Sequence, residues 1–338
     1  MMQLRLSAPF LSLAGSRTAA QTERVERDWT GLWFRLVEDE GEFIGMRGGR
    51  CIEDGKISWV FPSHAEHDGL GGFVRVLRDS HPGRAFPVPA RKSRMPSIAA
   101  RAFAVLGLLA RKPIPAGAWK GHDTNWQGDR RGPSDEFATS LWDAAATRRL
   151  SAKARRLGVP LNSLLMHALA DASRPELEVG PEIWMMPVNM RGPVTLPHDT
   201  ANHAGYLQIE IGDDKSLSAV HARYKASLKR RDHWATWLFL NSSRLLGYAG
   251  IRRVYSVQMA RFKQRPFTGA FTNLGAWNNV GVWHVAPPVT RTCPFGAGVI
   301  ICDGKLSLTA EAHPSIAREA GWTKDLMRRW VSILESDL

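Results

Sequence analysis

Apolar residues along the chain recur with a period of two in some stretches and of three to four in others, the patterns of strands and helices. Ile57-Ser58-Trp59-Val60-Phe61 has strand composition, and Phe73-Val74-Arg75-Val76-Leu77 opens either a helix or a second strand. Residues 98–110 are apolar and helical in character, bracketed by Arg94, Arg101 and Arg111. Burial in a core is the expectation for this segment, and a membrane interface the alternative. Ala144 to Leu157 predicts a basic helix stopped at Gly158, and a second helix follows over Ser163 to Ala172. Leu164, Leu165 and Met166 stand where a DNA-reading helix carries polar residues, so this pair belongs in a core. Ile183 to Val188 and Tyr206 to Ile211 predict strands, the second alternating apolar and polar like a half-solvated one. From Leu217, the residues Val220, Tyr224 and Leu228 keep helical spacing, and Val280 to Val285 predicts a further strand. Gly298 to Thr309 predicts a hairpin closed by Asp303-Gly304, a dipeptide suited to a type I′ turn. Trp322, Leu326, Trp330 and Ile333 lie on one face of a closing helix, and turn formers between residues 111 and 135 divide the chain unequally.

Composition narrows the class. The 338 residues are 44% hydrophobic with 13 Trp and 13 Phe, enough for a large core and too much for a disordered chain. No apolar run reaches the roughly 20 residues of a membrane span. Arg5 and the run Ala8 to Ala14 faintly resemble a secretory leader, but Pro9 and Ser12 break it, so secretion is not expected. Cys51, Cys293 and Cys302 form no C-x-x-C and leave one over, which fits a reduced, cytoplasmic compartment. Lys and Arg number 45 against 32 Asp and Glu, a formal charge of +13 that attracts anions. Nucleic acid, an anionic membrane and a phosphate-bearing or acidic partner all answer to that charge. No nucleic-acid motif accompanies the basic clusters, and most of them read as solvated helix faces.

The candidate chemistry lies in Ser63-His64-Ala65-Glu66-His67-Asp68-Gly69, where a buried strand ends. Imidazole titrates near operating pH, so His64 can accept a proton from an alcohol, amine or thiol. Asp68 supplies structural support, and Gly69 is expected to let the backbone turn sharply. His64, Glu66, His67 and Asp68 are each capable of ligating a metal, but on an extended segment their side chains diverge, so no metal site is expected.

Further segments follow in a set order. These are Asn125 to Arg131 with Leu157 to Leu165; Met186-Pro187-Val188-Asn189-Met190-Arg191 with Asn202-His203-Ala204-Gly205; Phe271-Thr272-Asn273-Leu274-Gly275; and the hairpin Gly298 to Thr309. Together with the His64 segment, over roughly residues 57 to 335, they resemble the CoA-dependent acyltransferase superfamily. That superfamily includes chloramphenicol acetyltransferase, peptide-synthetase condensation domains and wax ester synthase/diacylglycerol acyltransferases. Of the family's His-His-x-x-x-Asp-Gly, the first histidine is replaced by Ser63 and the second, to which the family assigns catalysis, is His64. Ser163 replaces the aspartate of the wax-synthase Gly-x-x-x-Asn-Asp pattern.

The resemblance implies an α/β (α+β) fold, a chloramphenicol acetyltransferase-like sandwich of two subdomains. Residues 1–135 would be a shortened N-terminal subdomain carrying His-x-x-x-Asp-Gly, and 136–338 the C-terminal one, with the histidine in a tunnel between them. It implies an O-acyltransferase of lipid metabolism, moving an acyl group from an acyl-CoA or acyl-carrier-protein thioester to a small alcohol or lipid. The catalytic set would be His64 as base, Asp68 as brace and Gly69, whose N–H, like the Thr272 hydroxyl and Asn273 amide, is a candidate oxyanion donor. Asp68 would turn to an arginine, which with so short a front end must be Arg35, Arg47, Arg50 or Arg191. Asn162, Arg191, Thr272 and Asn273 are the substrate-binding candidates, with a helix cap and a strand-end brace the alternatives for Asn162 and Arg191. Ser63 and His67 are expected to be bystanders. No cofactor is implied beyond the CoA or phosphopantetheine thioester co-substrate, and no nucleic-acid partner, while peripheral membrane association stays open. Amide-forming condensation is the alternative activity, and an idle relative that binds an acyl carrier or a membrane the alternative class.

Overall fold

Strands and helices alternate as their periodicity requires, in nine described strands and eight α-helices. The computed structural model describes residues 29–336 except 53–55, 112–116, 129, 131, 197, 265, 266 and 318, and not the side chains of 242–246 and 258–264. The leader-like stretch, and Asp129 and Arg131 of the Asn125–Arg131 segment, lie outside the described residues. The strands are β1 (Arg47–Cys51), β2 (Ile57–Val60), β3 (Phe137–Trp142), β4 (Glu182–Asn189), β5 (Ala204–Ile211), β6 (Gly269–Trp277), β7 (Trp283–Ala286), β8 (Phe295–Cys302) and β9 (Lys305–Ala312). The helices are α1 (Trp29–Asp39), α2 (Gly69–Ser80), α3 (Ile98–Leu109), α4 (Ala144–Arg156), α5 (Leu161–Ser173), α6 (Leu217–Lys229), α7 (Asp232–Gln264, broken at Gly247) and α8 (Trp322–Glu335).

Six strands form a mixed sheet in the order β3-β9-β8-β6-β4-β5, parallel where β6 meets β4 and β8. One face is covered by α4, α5, α6 and α8, where Leu150, Leu165, Leu169, Trp184, Leu326 and Trp330 are fully buried. Burying each large apolar side chain stabilises by roughly 1.5–3 kcal/mol, and the indoles also satisfy their N–H groups. Trp330 Nε1 donates to the Leu165 carbonyl at 3.0 Å and Trp119 Nε1 to that of Thr268 at 2.7 Å. The expected hairpin is β8–β9, with Asp303 and Gly304 at φ 51° and 77°, the positive values a type I′ turn needs.

The opposite face looks into a cavity. Tyr206, Gln208 and Glu210 of β5 line that cavity while Leu207, Ile209 and Ile211 face the core, so the half-solvated face expected of this strand is a cavity wall, with Glu210 exposed. Across the cavity stands an antiparallel sheet, β2-β1-β7. Its third strand comes from beyond residue 136, and Arg47 to Arg50 pair with Ala286 to Trp283. This β7 starts later than the Val280 expected from the sequence.

The apolar segment 98–110 does form a helix, but it is not the core helix expected. Ile98, Phe103, Leu106 and Leu109 are 78%, 72%, 61% and 69% exposed, and Ala104 is the one buried residue of α3. The helix rests on α7, and the stripe Ala100, Arg101, Ala104, Val105, Leu108 and Arg111 is covered or half-covered.

Gly71 is a position beside the site where the neighbouring backbone demands glycine. A Cβ there would lie 2.1 Å from the Thr200 carbonyl oxygen and 2.9 Å from Arg191 Nη2. Gly71→Ala is therefore expected to cost about 1–3 kcal/mol in urea denaturation, because backbone cannot move aside as a side chain can.

Candidate active site

The segment after β2 is held in place before it presents any chemistry. Gly45 bridges to Ser63, and the His64 N–H donates to the Ile44 carbonyl at 3.2 Å. The Ser63 carbonyl then accepts from the N–H groups of Glu66 and His67, both at 3.1 Å, closing a turn. Asp68 ends it by capping α2, its Oδ1 accepting from the Gly71 N–H at 2.7 Å.

His64 Nδ1 lies 2.8 Å from the carbonyl oxygen of His67. A carbonyl only accepts, so Nδ1 carries the proton and Nε2 keeps its lone pair. The Phe34 ring of α1 stacks on the imidazole, centroids 4.0 Å apart and planes 11° from parallel. The ring's remaining open surface faces the cavity, whose wall it joins. Burial pushes the His64 pKa below its ordinary 6.5, and the Asp68 charge and the His67 hydrogen bond oppose this without cancelling it. The imidazole is therefore neutral near pH 7, the state a general base requires. The acid limb of kcat/KM should accordingly titrate below 6.5, activity being lost only as Nε2 protonates. Phe34→Ala admits water to the ring and should move this limb up towards 6.5, whereas Phe34→Leu should leave it low. An unmoved limb in the alanine variant would refute the stacking contribution.

Among the four arginines open to Asp68, Arg191 is its partner. Arg191 Nη1 and Nη2 donate to Oδ2 and Oδ1 at 2.8 and 2.9 Å, and the His203 N–H donates to Oδ2 at 2.9 Å. Arg47 is instead bound to Glu311 at 2.8 Å, where Arg130 joins it at 3.1 Å. The other Arg191 donors reach the Asp199 and Ala201 carbonyls at 2.6 and 2.8 Å and Asn189 Oδ1 at 3.2 Å. With every N–H committed, Arg191 braces the loop, the alternative weighed for it, while its side chain also reaches the cavity wall. Asp68 is likewise saturated, each oxygen accepting two hydrogen bonds, so it fixes the loop.

The expectation for Gly69 is corrected. It is the first residue of α2 and is not among the glycines of positive φ, so it makes no sharp turn. An added Cβ would come within 3.4 Å of Leu274 Cδ2 and 4.0 Å of Thr272 Oγ1, so this glycine keeps space open beside a hydroxyl. Thr272 and Asn273 of β6 line the same cavity. A bulge between Asn273 and Ala276, with Gly275 at φ 81°, turns the strand there. Asn273 Oδ1 accepts from the Gly275 N–H at 2.8 Å, and its Nδ2 donates to Asn162 Oδ1 at 2.5 Å. Asn162 is neither a cap nor a wall residue: α5 is capped by Pro160 without a side-chain bond, and Asn162 stands behind Asn273.

Sequence reasoning passed over several members of the site. His67 is no bystander, since its carbonyl orients His64 and its Nδ1 lies 2.9 Å from the Thr200 carbonyl. Asn202 Nδ2 donates to the His64 carbonyl at 3.1 Å, and Ser63 Oγ accepts from the Ala65 N–H at 3.2 Å. Glu66 is exposed while the His67 ring is turned to Thr200, and no cluster suited to a metal occurs among the described residues.

The cavity holds about 1760 Å³, against about 300–1,000 Å³ for an ordinary small-molecule pocket. Its wall is mainly apolar, from Trp33, Phe34, Phe73, Leu274 and Trp283 among others, with Arg111, Arg223 and Arg230 on it. No helix among the described residues is long and apolar enough to cross a membrane.

No family model and no curated protein matches the chain. Solved structures do. The cyclization-docking bidomain of the nonribosomal peptide synthetase EpoB from Sorangium cellulosum aligns over 80% of this chain and 58% of its own, with 14% identity and a TM-score of 0.51. The nonribosomal peptide synthetase FmoA3, in its AMPPNP-bound form, aligns over 79% of this chain and 29% of its own, with 14% identity and a TM-score of 0.52. The chain thus spans less than two thirds of either neighbour, and at such identity the likeness is one of fold. The two sheets around a central cavity thus have the condensation-type, chloramphenicol acetyltransferase-like fold of these neighbours.

Proposed function

We propose that the protein is an acyltransferase that moves an acyl group from an acyl-CoA or acyl-carrier-protein thioester to an alcohol, with His64 as general base. The observation that carries this is the bond from His64 Nδ1 to the His67 carbonyl, which leaves an unprotonated Nε2 at a large apolar cavity. Nε2 takes the hydroxyl proton as the acceptor oxygen attacks the thioester carbonyl. The first N–H groups of α2 have no acceptor within the helix, so Gly69 N–H and the Thr272 hydroxyl are the donors for the resulting oxyanion. Collapse forms the ester and expels the thiolate, which takes the proton from the imidazolium and leaves His64 neutral. No acyl-enzyme forms. The cavity has room for two substrates, and holding them together supplies rate through orientation. Arg111 and Arg230 are paired to Asp232, which leaves Arg223 as the cavity-wall arginine that favours the phosphate of CoA or phosphopantetheine as the donor's head.

Amide formation is the second activity to weigh, because both superposed structures are nonribosomal peptide synthetases. The test offers short and long acyl-CoA, and acyl carrier protein, with a primary alcohol or amine, following free thiol and identifying products by mass spectrometry. Acceptor-dependent thiol release with ester product is expected. Amide alone would favour condensation, and acyl-CoA binding without turnover would leave an idle relative.

A further inference from the structure

We propose that the outer face of α3 docks the protein on an anionic lipid bilayer, independently of the acyl-transfer chemistry. The helix is fixed with its apolar side outward. Its inner stripe lies on α7, and at its C-terminal end Arg111 Nη1 donates to Asp232 Oδ2 at 3.0 Å. The exposed residues Ala99, Ala102, Phe103, Leu106, Leu109 and Ala110 recur at helical spacing and carry no charge. Among them Phe103, Leu106 and Leu109 expose well over half their surface, as does Ile98 at the helix start. Such a face in contact with water marks an interaction surface.

The surrounding charge points to the occupant. Between Asp79 and Asp123 the sequence contains eight Lys and Arg and no Asp or Glu. Arg91, Lys92 and Arg94 lie exposed in the segment leading into α3, with Met95 exposed beside them. An apolar helix face bordered by cations on one side of a surface matches a bilayer in both respects: acyl chains for Phe103 and Leu106, anionic headgroups for the basic residues. A second copy of this chain would bring the same positive segment against itself, and repulsion disfavours that pairing. Docking also has a geometric consequence. Leu108, Leu109 and Arg111 belong to the cavity wall, so the bilayer would lie against the rim of the cavity that holds His64.

The test is flotation of the full chain with phosphatidylcholine vesicles, with and without phosphatidylserine, at low and high salt. The wild type should float with the phosphatidylserine vesicles at low salt and lose most binding at high salt. Phe103→Glu/Leu106→Glu, neither residue lying on the cavity wall, should bind at least about tenfold less while melting like the wild type. Lys92→Glu/Arg94→Glu should remove the phosphatidylserine-dependent part. The proposal is overturned if the wild type stays down at low salt, or if the α3 variant floats equally. It is also overturned if the wild type is a vesicle-free dimer that this variant splits, or floats only once residues 1–28 are removed.

Discussion

His64→Ala should lower acceptor-dependent thiol release by about 10²–10⁴-fold while leaving the fold intact. The size of the effect follows from the site. Asp68, the carboxylate whose charge acts on His64, has each oxygen occupied by two donors, and the His67 ring is bound to the Thr200 carbonyl. Neither can substitute as base. The structural cost is small by comparison: the imidazole's contacts are a hydrogen bond to the His67 carbonyl, one with the Asn202 side chain and a stack on Phe34. Losing each hydrogen bond costs about 1 kcal/mol. Circular dichroism and the melting temperature should therefore barely change as the rate collapses. A variant retaining more than a tenth of wild-type thiol release would mean that His64 is not the base.

Asp68→Ala and Arg191→Ala should each destabilise the protein by about 3–5 kcal/mol, measured by urea denaturation, and disable it as well. Both side chains are nearly fully buried, and removing one leaves the other's charge in low dielectric without a partner. Asp68 also holds the N–H groups of Gly71 and His203, so its loss loosens the start of α2 and the loop before β5 together. The double variant should cost less than the sum of the singles, because the orphaned charge is then gone. Arg191→Lys should not rescue, since an ammonium cannot reproduce the bidentate fork to Asp68 and the bonds to Asn189, Asp199 and Ala201. Single variants within about 1 kcal/mol of wild type would show that the pair does not brace the site.

What was legible in the sequence was what lies close together along it. His64 and Asp68 stand four residues apart, and the hairpin turn is spelled out by two adjacent residues. The partner of Asp68 lies 123 residues away, and four arginines were equal candidates until the packing assigned Arg47 to Glu311. The choice between Gly69 and Gly71 turns on the position of the Thr200 carbonyl, which no local pattern encodes. Phe34 comes from α1, whose sequence carries no mark of the ring it meets. Helix α7 escaped notice because β5, α3 and α1 pack on different parts of it, leaving no single apolar stripe, and Gly247 interrupts it at φ 62°. The α3 segment failed in the opposite sense: its apolar composition fixes a helix but not which neighbour covers its face.

The most direct measurement is the nitrogen NMR spectrum of His64, assigned by its absence in His64→Ala and followed across pH. At pH 7 the spectrum should show a neutral ring with the proton on Nδ1 and Nε2 bare, titrating below 6.5. A ring protonated on Nε2, or still charged at pH 7, would contradict the assignment of His64 as the base.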